Sequence, residues 1–377
     1  MIRVAVLGST GSIGRQTLDI ISSLPEQFRV IALAGGSNAD LFRQQVERFQ
    51  PALVNLASAG IEIGRDQRAE WAPLEDIAAH PDVDVVLVGT TGKVGLAPSL
   101  AALRAGKAVA LANKEALVMA GAILTDTARR HGGQLRPVDS EHSAIWQCLW
   151  GEDPKSIRRL ILTASGGALR DLPEDKLADV TPAQALHHPT WNMGAKITVD
   201  CATLFNKGLE TIEARWLFDV PLGRIEVVQH RESIVHSLVE FSDGSVKAQL
   251  GLPDMRLPIL LALTYPQRAA EPQTAPLNLA EVGKLHFSQI DAERYPLLGL
   301  AMEAGRRGGT NPAVVAAADE IAVQEFLAGR IRFTDIAPLV DSVLSKHGAV
   351  SDPDLEEILA ADEWARRETE EMVTARA

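Results

Sequence analysis

The chain has 377 residues, 46% of them hydrophobic and 23% charged, a globular balance with length enough for two or three domains. Its 37 Lys and Arg against 49 Asp and Glu leave a net charge of −12, which argues against a nucleic-acid partner and requires a local nest of donors for any anionic ligand. Cys148 and Cys201 make no disulfide framework, MIRVAVLGSTG lacks the layout of a signal peptide, and no 18-residue apolar run exists, so a cytoplasmic protein without a membrane partner is expected.

In chain order, RVAVLG (3–8), FRVIALAG (28–35), VDVVLVG (83–89), KAVALAN (107–113) and QLRPV (134–138) read as buried strands. Helix patterns over 12–24, 38–49, 95–105 and 114–131 lie between them. Apolar strands separated by helices imply a parallel sheet covered on both faces. The rhythm then changes. A strand at SIRRLILTAS (156–165) leads into a loop-rich stretch, and a helix is expected over 200–217. RIEVVQH (224–230) and two runs flanking Asp243-Gly244 predict an antiparallel sheet with a hairpin. Pro-rich residues 266–296 read as a linker, followed by helices over 311–328, 333–346 and 352–373. The expectation is an α/β fold: an N-terminal Rossmann-like parallel-sheet domain (1–138), a central α+β catalytic domain (139–265) and a C-terminal helical bundle (297–377).

VLGSTGSIGRQ places Gly8, Gly11 and Gly14 directly after the first strand and into a helix start. Glycine permits a tight turn and close approach to a pyrophosphate, which helix N-terminal amides then hold. The second strand ends in Ala34-Gly35-Gly36-Ser37-Asn38. A site for NAD expects a carboxylate there; its absence favours the 2′-phosphate of NADP. Arg43, further along, is the nearest base.

Asp139 and Glu141 in RPVDSEHSAIW are two positions apart with Ser140 between them. On an extended chain they point to one side, and a divalent cation would turn their repulsion into coordination. Hard oxygen donors point to Mg²⁺ or Mn²⁺. From this pair alone a helix start is the favoured reading, with Asp139 or Ser140 as the cap and Glu141 in the first turn. In TLFNKGLETIEARW, Asn206 and Glu210 lie at i and i+4 on one helix face beside Lys207. Asn113, Lys114 and Glu115 end a strand, and the Ser165-Gly166-Gly167 turn offers amides to a phosphate.

With GSTGSIG, LANKE, PVDSEH, SGG, HPTWNMGAKITVD, NKGLE, GLPDMRLPI, RYPLL and RFTDI in this order, the chain resembles the 1-deoxy-D-xylulose 5-phosphate reductoisomerase family over nearly its whole length. The resemblance implies NADPH and Mn²⁺ or Mg²⁺ as cofactors, a small phosphorylated sugar as substrate and a homodimer formed through the central sheet. It implies a retro-aldol/aldol rearrangement followed by hydride reduction to 2-C-methyl-D-erythritol 4-phosphate.

Carried over, it makes Asp139, Glu141 and Glu210 the metal ligands, with Lys114 and Glu141 catalytic. Ser140, Lys114, Glu141 and Glu210 would meet the substrate, and Ser165, Cys201, Asn206 and Lys207 its phosphate. Thr10, Gly11, Ser12 and Ile13 match the pyrophosphate loop, Gly36, Ser37 and Asn38 the adenosine-side turn, and Asn113, Glu115 and Gly194 further cofactor contacts. His188, Trp191 and Met193 match a flap over about 186–194, His188 touching substrate. Three departures stand out. Cys201 replaces a common phosphate-binding serine, and a thiol is a poor donor. Ser37 stands where some members carry lysine, and Arg231 where proline is common. The alternatives are an NADP-dependent dehydrogenase of homoserine or semialdehyde type without isomerisation, and a non-catalytic nucleotide sensor.

Overall fold

The chain begins with the strand Ile2–Leu7 (β1), whose last four residues have no exposed surface. Such a run suits a strand covered on both faces. In the computed structural model, which describes residues 1–57, 69–270 and 273–375, six strands join it: Phe28–Gly35 (β2), Leu53–Leu56 (β3), Glu70–Trp71 (β4), Val85–Val88 (β5), Ala108–Leu111 (β6) and Gln134–Pro137 (β7). All pair in parallel, in the order β4-β3-β2-β1-β5-β6-β7. The order reverses between β1 and β5. Open sheets bind ligands beside such a reversal, at the carboxyl ends of the strands.

Helices Ser12–Ser23, Ala39–Phe49, Leu96–Arg104 and Lys114–His131 stand where periodicity places them. β3, β4 and the helix Leu74–Ala79 have no counterpart among the expected elements. All three are short, and β4 is exposed, so no periodic burial marks it.

Contacts divide the chain into two units, the first made of Met1–Leu117, Gly121–Ser143 and Asp254–Pro276. The expected boundary at 138/139 therefore differs, and residues 254–265 belong with the first sheet. The helix Arg256–Thr264 explains why. Its residues from Pro258 to Thr264 are all buried, and Ile259, Leu260, Ala262 and Leu263 share a core with Val4, Leu18, Leu87 and Val138. A helix apolar all round has no amphipathic period to betray it.

The second unit is Val118–Ala120, Ala144–Pro253 and Leu277–Ala377. Its strands Ile157–Ala164 (β8), Ile225–Gln229 (β9), Val235–Phe241 (β10), Val246–Leu250 (β11) and Ser288–Gln289 (β12) order as β11-β10-β8-β9-β12. β8 and β9 run parallel, so the sheet is mixed rather than antiparallel. The Asp243-Gly244 hairpin forms, with Gly244 at φ +86°. β12 lies inside the expected linker and pairs with β9; residues 271 and 272 of that linker lie outside the described residues.

The helix expected over 200–217 is two helices, Ala195–Thr203 and Phe205–Phe218, broken at Leu204 with φ +57°. Leu204 is 2% exposed and packs with Ala164, Tyr295 and Leu298. Gly208 permits the next crossing: a Cβ there would lie 2.4 Å from that of Ala301. The helices Pro296–Arg307, Asn311–Leu327, Ile336–Lys346 and Leu355–Thr374 share one core with Val199, Phe205 and Leu209. The helical C-terminus thus packs into the same unit as the central region; residues 376 and 377 are outside the description. Among the described residues no helix is long and apolar enough to cross a membrane.

Candidate active site

At the sheet reversal, Gly8 leaves β1 at φ +87°, and a Cβ on it would lie 2.5 Å from the Gly89 carbonyl oxygen. A Cβ on Gly14 would lie 2.3 Å from the Gly8 oxygen, while one on Gly11 would stand 3.3 Å from it. Gly8 and Gly14 therefore have no room for a side chain. The amides of Gly8 and Ser9 donate to the Ala34 carbonyl at 2.9 and 2.8 Å. Helix Ser12–Ser23 begins at Gly11 with no side-chain cap and no acid in its first turn. Its first amides thus suit an anion, and Thr10, Gly11, Ser12 and Ile13 are all at this edge.

Gln45, which the sequence does not single out, holds the Ser9 carbonyl at 2.9 Å; its spacing from Phe42 and Phe49 on one helix face was the available signal. In the turn after β2, Gly36 and Ser37 are exposed. Asn38 caps helix Ala39–Phe49, its Oδ1 accepting from the Leu41 amide at 3.1 Å. Arg43 pairs with Asp40 on its own helix at 2.9 Å.

Asn113 is 1% exposed. Its Nδ2 donates to the Thr90 and Gly92 carbonyls, both at 2.8 Å, and its Oδ1 caps the next helix through the Ala116 amide at 2.8 Å. Its side chain is thus a brace between the turns after β5 and β6. Glu115 is half-buried beside it. Lys114 is 9% exposed, and its ammonium pairs with Asp139.

β7 ends at Pro137 and a helix begins at Ser140. Asp139 and Glu141 therefore flank a helix start and do not alternate along a strand, which corrects the extended-chain expectation. Asp139 Oδ1 accepts from the Ser140 amide at 3.1 Å, and the Ser140 hydroxyl donates to Glu141 Oε2 at 2.5 Å. Asp139 thus holds the first amide of the helix, and Glu141 sits in its first turn.

In the second unit, β8 delivers Ser165 into a turn with Gly166 and Gly167 at φ +85° and +70°. His188 Nδ1 accepts from the Thr190 and Trp191 amides at 3.2 and 3.0 Å. Nε2–H is then the donor to Ser165 Oγ at 3.0 Å. The Gly167 amide also donates to Oγ, at 3.1 Å. Two donors fill the oxygen's lone pairs, so the Ser165 hydroxyl hydrogen is left to donate elsewhere.

Arg170, another residue the motifs do not mark, clamps the Ser165 and Arg231 carbonyls at 2.8 and 3.0 Å. The Arg231 side chain pairs with Asp171. The expected flap carries Thr190, whose hydroxyl is 3.2 Å from that of Ser233, and Trp191, 6.2 Å from the His236 ring. Met193 follows in the same non-helical stretch, and Gly194 starts helix Ala195–Thr203.

Burial, with the Arg170 guanidinium nearby, lowers the His188 pKa to about 4. A folded pKa below the ordinary value means the unfolded chain takes the proton first, so stability falls as pH drops from 6.5 towards 4. The melting temperature of the wild type should fall more steeply over that window than that of His188→Gln; parallel curves would mean that folding does not lower the His188 pKa.

Glu210, 1% exposed, accepts from Asn206 Nδ2 and Lys207 Nζ, each at 2.6 Å. The i, i+4 reading of Asn206 and Glu210 is thus realised. Asn206 and Lys207 occupy the first turn of a helix with no acid there, a favourable place for an anion. Cys201 is half-buried on the preceding helix. A Cβ on Gly167 would lie 2.4 Å from the Cys201 carbonyl oxygen, so the serine turn packs tightly on that helix.

Comparison with known proteins covers the same segments. The 1-deoxy-D-xylulose 5-phosphate reductoisomerase family profile matches residues 4–121, and profiles for C-terminal domains of this enzyme match 135–218 and 250–368. The protein of that name from Thermomicrobium roseum is 53% identical over 98% of this chain and 97% of its own. The one from a Geobacillus species is 50% identical over 97% and 98%. Among solved structures, the Zymomonas mobilis enzyme in complex with NADPH superposes with a TM-score of 0.91 at 40% identity, over 99% of both chains. A DOX-P reductoisomerase in complex with NADPH, fosmidomycin and magnesium gives 0.93 at 38% identity, over 99% and 98%. With identity at this level from end to end, the chain belongs to the 1-deoxy-D-xylulose 5-phosphate reductoisomerase family.

Proposed function

We propose that this protein rearranges 1-deoxy-D-xylulose 5-phosphate and reduces the product to 2-C-methyl-D-erythritol 4-phosphate, with NADPH and Mg²⁺ or Mn²⁺. The observation that carries this is 53% identity to a named relative across 98% of the chain. No specific observation favours a dehydrogenase without isomerisation or a sensor.

Asp139, Glu141 and Glu210 are the proposed metal ligands. They offer only carboxylate oxygens, a hard donor set that fits Mg²⁺ or Mn²⁺. When bound, the cation supplies Lewis-acid polarisation of substrate oxygens and NADPH supplies the hydride. The chain's own residues do the rest. Thr10, Gly11, Ser12 and Ile13 take the pyrophosphate, and Gly36, Ser37 and Asn38 the adenosine end. Asn113, Glu115 and Gly194 are further cofactor contacts.

Lys114 offsets negative charge on the reacting oxygens and Ser140 orients them. The Ser165 hydroxyl, Asn206 amide and Lys207 ammonium donate to the phosphate, with Cys201 beside them. Binding there serves to position the distant reacting carbons. His188 stays neutral and contacts the substrate, while Trp191 and Met193 on the flap exclude water. The reading extends to a cytoplasmic homodimer joined through the second sheet.

Activity should fall to background in excess EDTA and return with Mn²⁺ or Mg²⁺, and NMR of the product should show the branched polyol phosphate. Full turnover without metal, or a different product, would overturn the proposal.

A further inference from the structure

We infer that Asp319 is a positioning residue for the phosphate-binding segment, acting through Asp200 and Lys196; this rests on the activity proposed above. Asp319 lies in helix Asn311–Leu327 and is fully buried, and Asp200 is 2% exposed. Lys196 Nζ is 2.5 Å from Asp200 Oδ2 and 3.1 Å from Asp319 Oδ2. It also stands 5.3 Å from the centre of the Phe205 ring. One ammonium therefore faces two buried carboxyl groups.

Two carboxylates held this close away from water cannot both ionise, and one proton on the pair resolves the conflict. Neither oxygen of Asp319 has an aligned hydrogen bond. A proton there lets Asp319 donate to the Asp200 side chain, which Lys196 meets at 2.5 Å. Burial and the Asp200 charge both favour the protonated form of Asp319, Lys196 opposing them.

Several charges on the other packed helices are engaged elsewhere. Arg366 holds Glu320 and Asp362 at 2.7 and 3.0 Å. Lys346 pairs with Glu368, and Arg306 and Arg307 pair with Glu303.

What the cluster fixes is helix Ala195–Thr203. That helix starts at the end of the flap, carries Cys201 against Gly167 of the serine turn, and runs through Leu204 into Asn206 and Lys207. Its placement sets the spacing between the Ser165 hydroxyl and the Lys207 ammonium. The three cluster residues touch no substrate; they hold the helix that does.

The test is steady-state kinetics of three variants with 1-deoxy-D-xylulose 5-phosphate, NADPH and Mn²⁺. Asp319→Ala should raise the substrate KM about tenfold with kcat within about threefold of wild type. Asp319→Asn keeps a neutral donor and should restore KM to within about twofold. Asp200→Asn removes the charge opposite Lys196 and should raise KM about tenfold. The inference is overturned if Asp319→Asn is as impaired as Asp200→Asn, or if Asp200→Asn leaves KM unchanged. An unchanged KM in Asp319→Ala overturns it as well, and if that variant does not fold, Asp319→Leu, which also lacks a donor, takes its place. A wild type that turns over no substrate would instead sink the proposed function, a separate result.

Discussion

Glu210→Gln should lower turnover by at least about a hundredfold and weaken Mn²⁺ binding by a similar factor. The side chain keeps its shape and its bond to Asn206, so the loss is one of charge. At 1% exposure and 2.6 Å from Lys207 Nζ, the carboxylate sits where few waters screen it. A neutral amide there offers a weaker oxygen to a dication and removes the anion facing a buried ammonium. Taking one partner from such a pair costs about 3 kcal/mol, so the variant should also melt earlier. NADPH affinity, which the proposal assigns to the glycine turn of the other unit, should stay within about twofold. Titration calorimetry with Mn²⁺ and NADPH fluorescence separate the two. Normal metal affinity with impaired NADPH binding would refute the ligand assignment.

Gly14→Ala should abolish measurable NADPH binding and cost roughly 2–3 kcal/mol of stability. The added methyl would meet the Gly8 carbonyl oxygen at 2.3 Å and the Ser9 Cα at 2.5 Å. Both are backbone atoms, and Gly8 and Ser9 are tied to β2 through Ala34. Relief can only come by moving the turn away from the helix that presents the anion-binding amides. Gly299→Ala is the natural contrast. It lies inside helix Pro296–Arg307 with open space around a Cβ, and should stabilise by about 0.5–1 kcal/mol. Thermal unfolding and cofactor titration measure both; unaltered NADPH affinity in Gly14→Ala would mean the turn does not hold the pyrophosphate.

The parts of the fold legible in the sequence are those whose cause is local. β1, β2, β5 and β6 are short apolar runs, buried on both faces, and their residue types alone mark them. Gly8 is legible because only glycine sits easily at φ +87° against a neighbouring carbonyl. The Asp243-Gly244 turn is legible for a similar reason. Asn206, Lys207 and Glu210 were readable because four residues make one helical turn.

Other features leave no local trace. Helix Arg256–Thr264 is apolar on every side, and the partner that covers it, Val138 with the first sheet, is more than a hundred residues away. The break at Leu204 occurs in a good helix former; it exists because Ala164, Tyr295 and Leu298 hold that side chain in place. Asn113 stands at a strand end, and nothing beside it in the sequence shows that its amide also braces the Thr90 and Gly92 carbonyls.

By itself, then, the sequence determined the parallel sheet and the glycine turn at its reversal, since backbone geometry and residue type decide these within a few positions, and it singled out the candidate residues of the site. Only the tertiary structure decided the mixed second sheet, the return of Asp254–Pro276 to the first unit, the Ser165–His188 link and the Lys196–Asp200–Asp319 cluster. In each, the energy comes from groups far apart in the chain, where burial removes water and makes a partner obligatory, and no nearby residue records which partner that is.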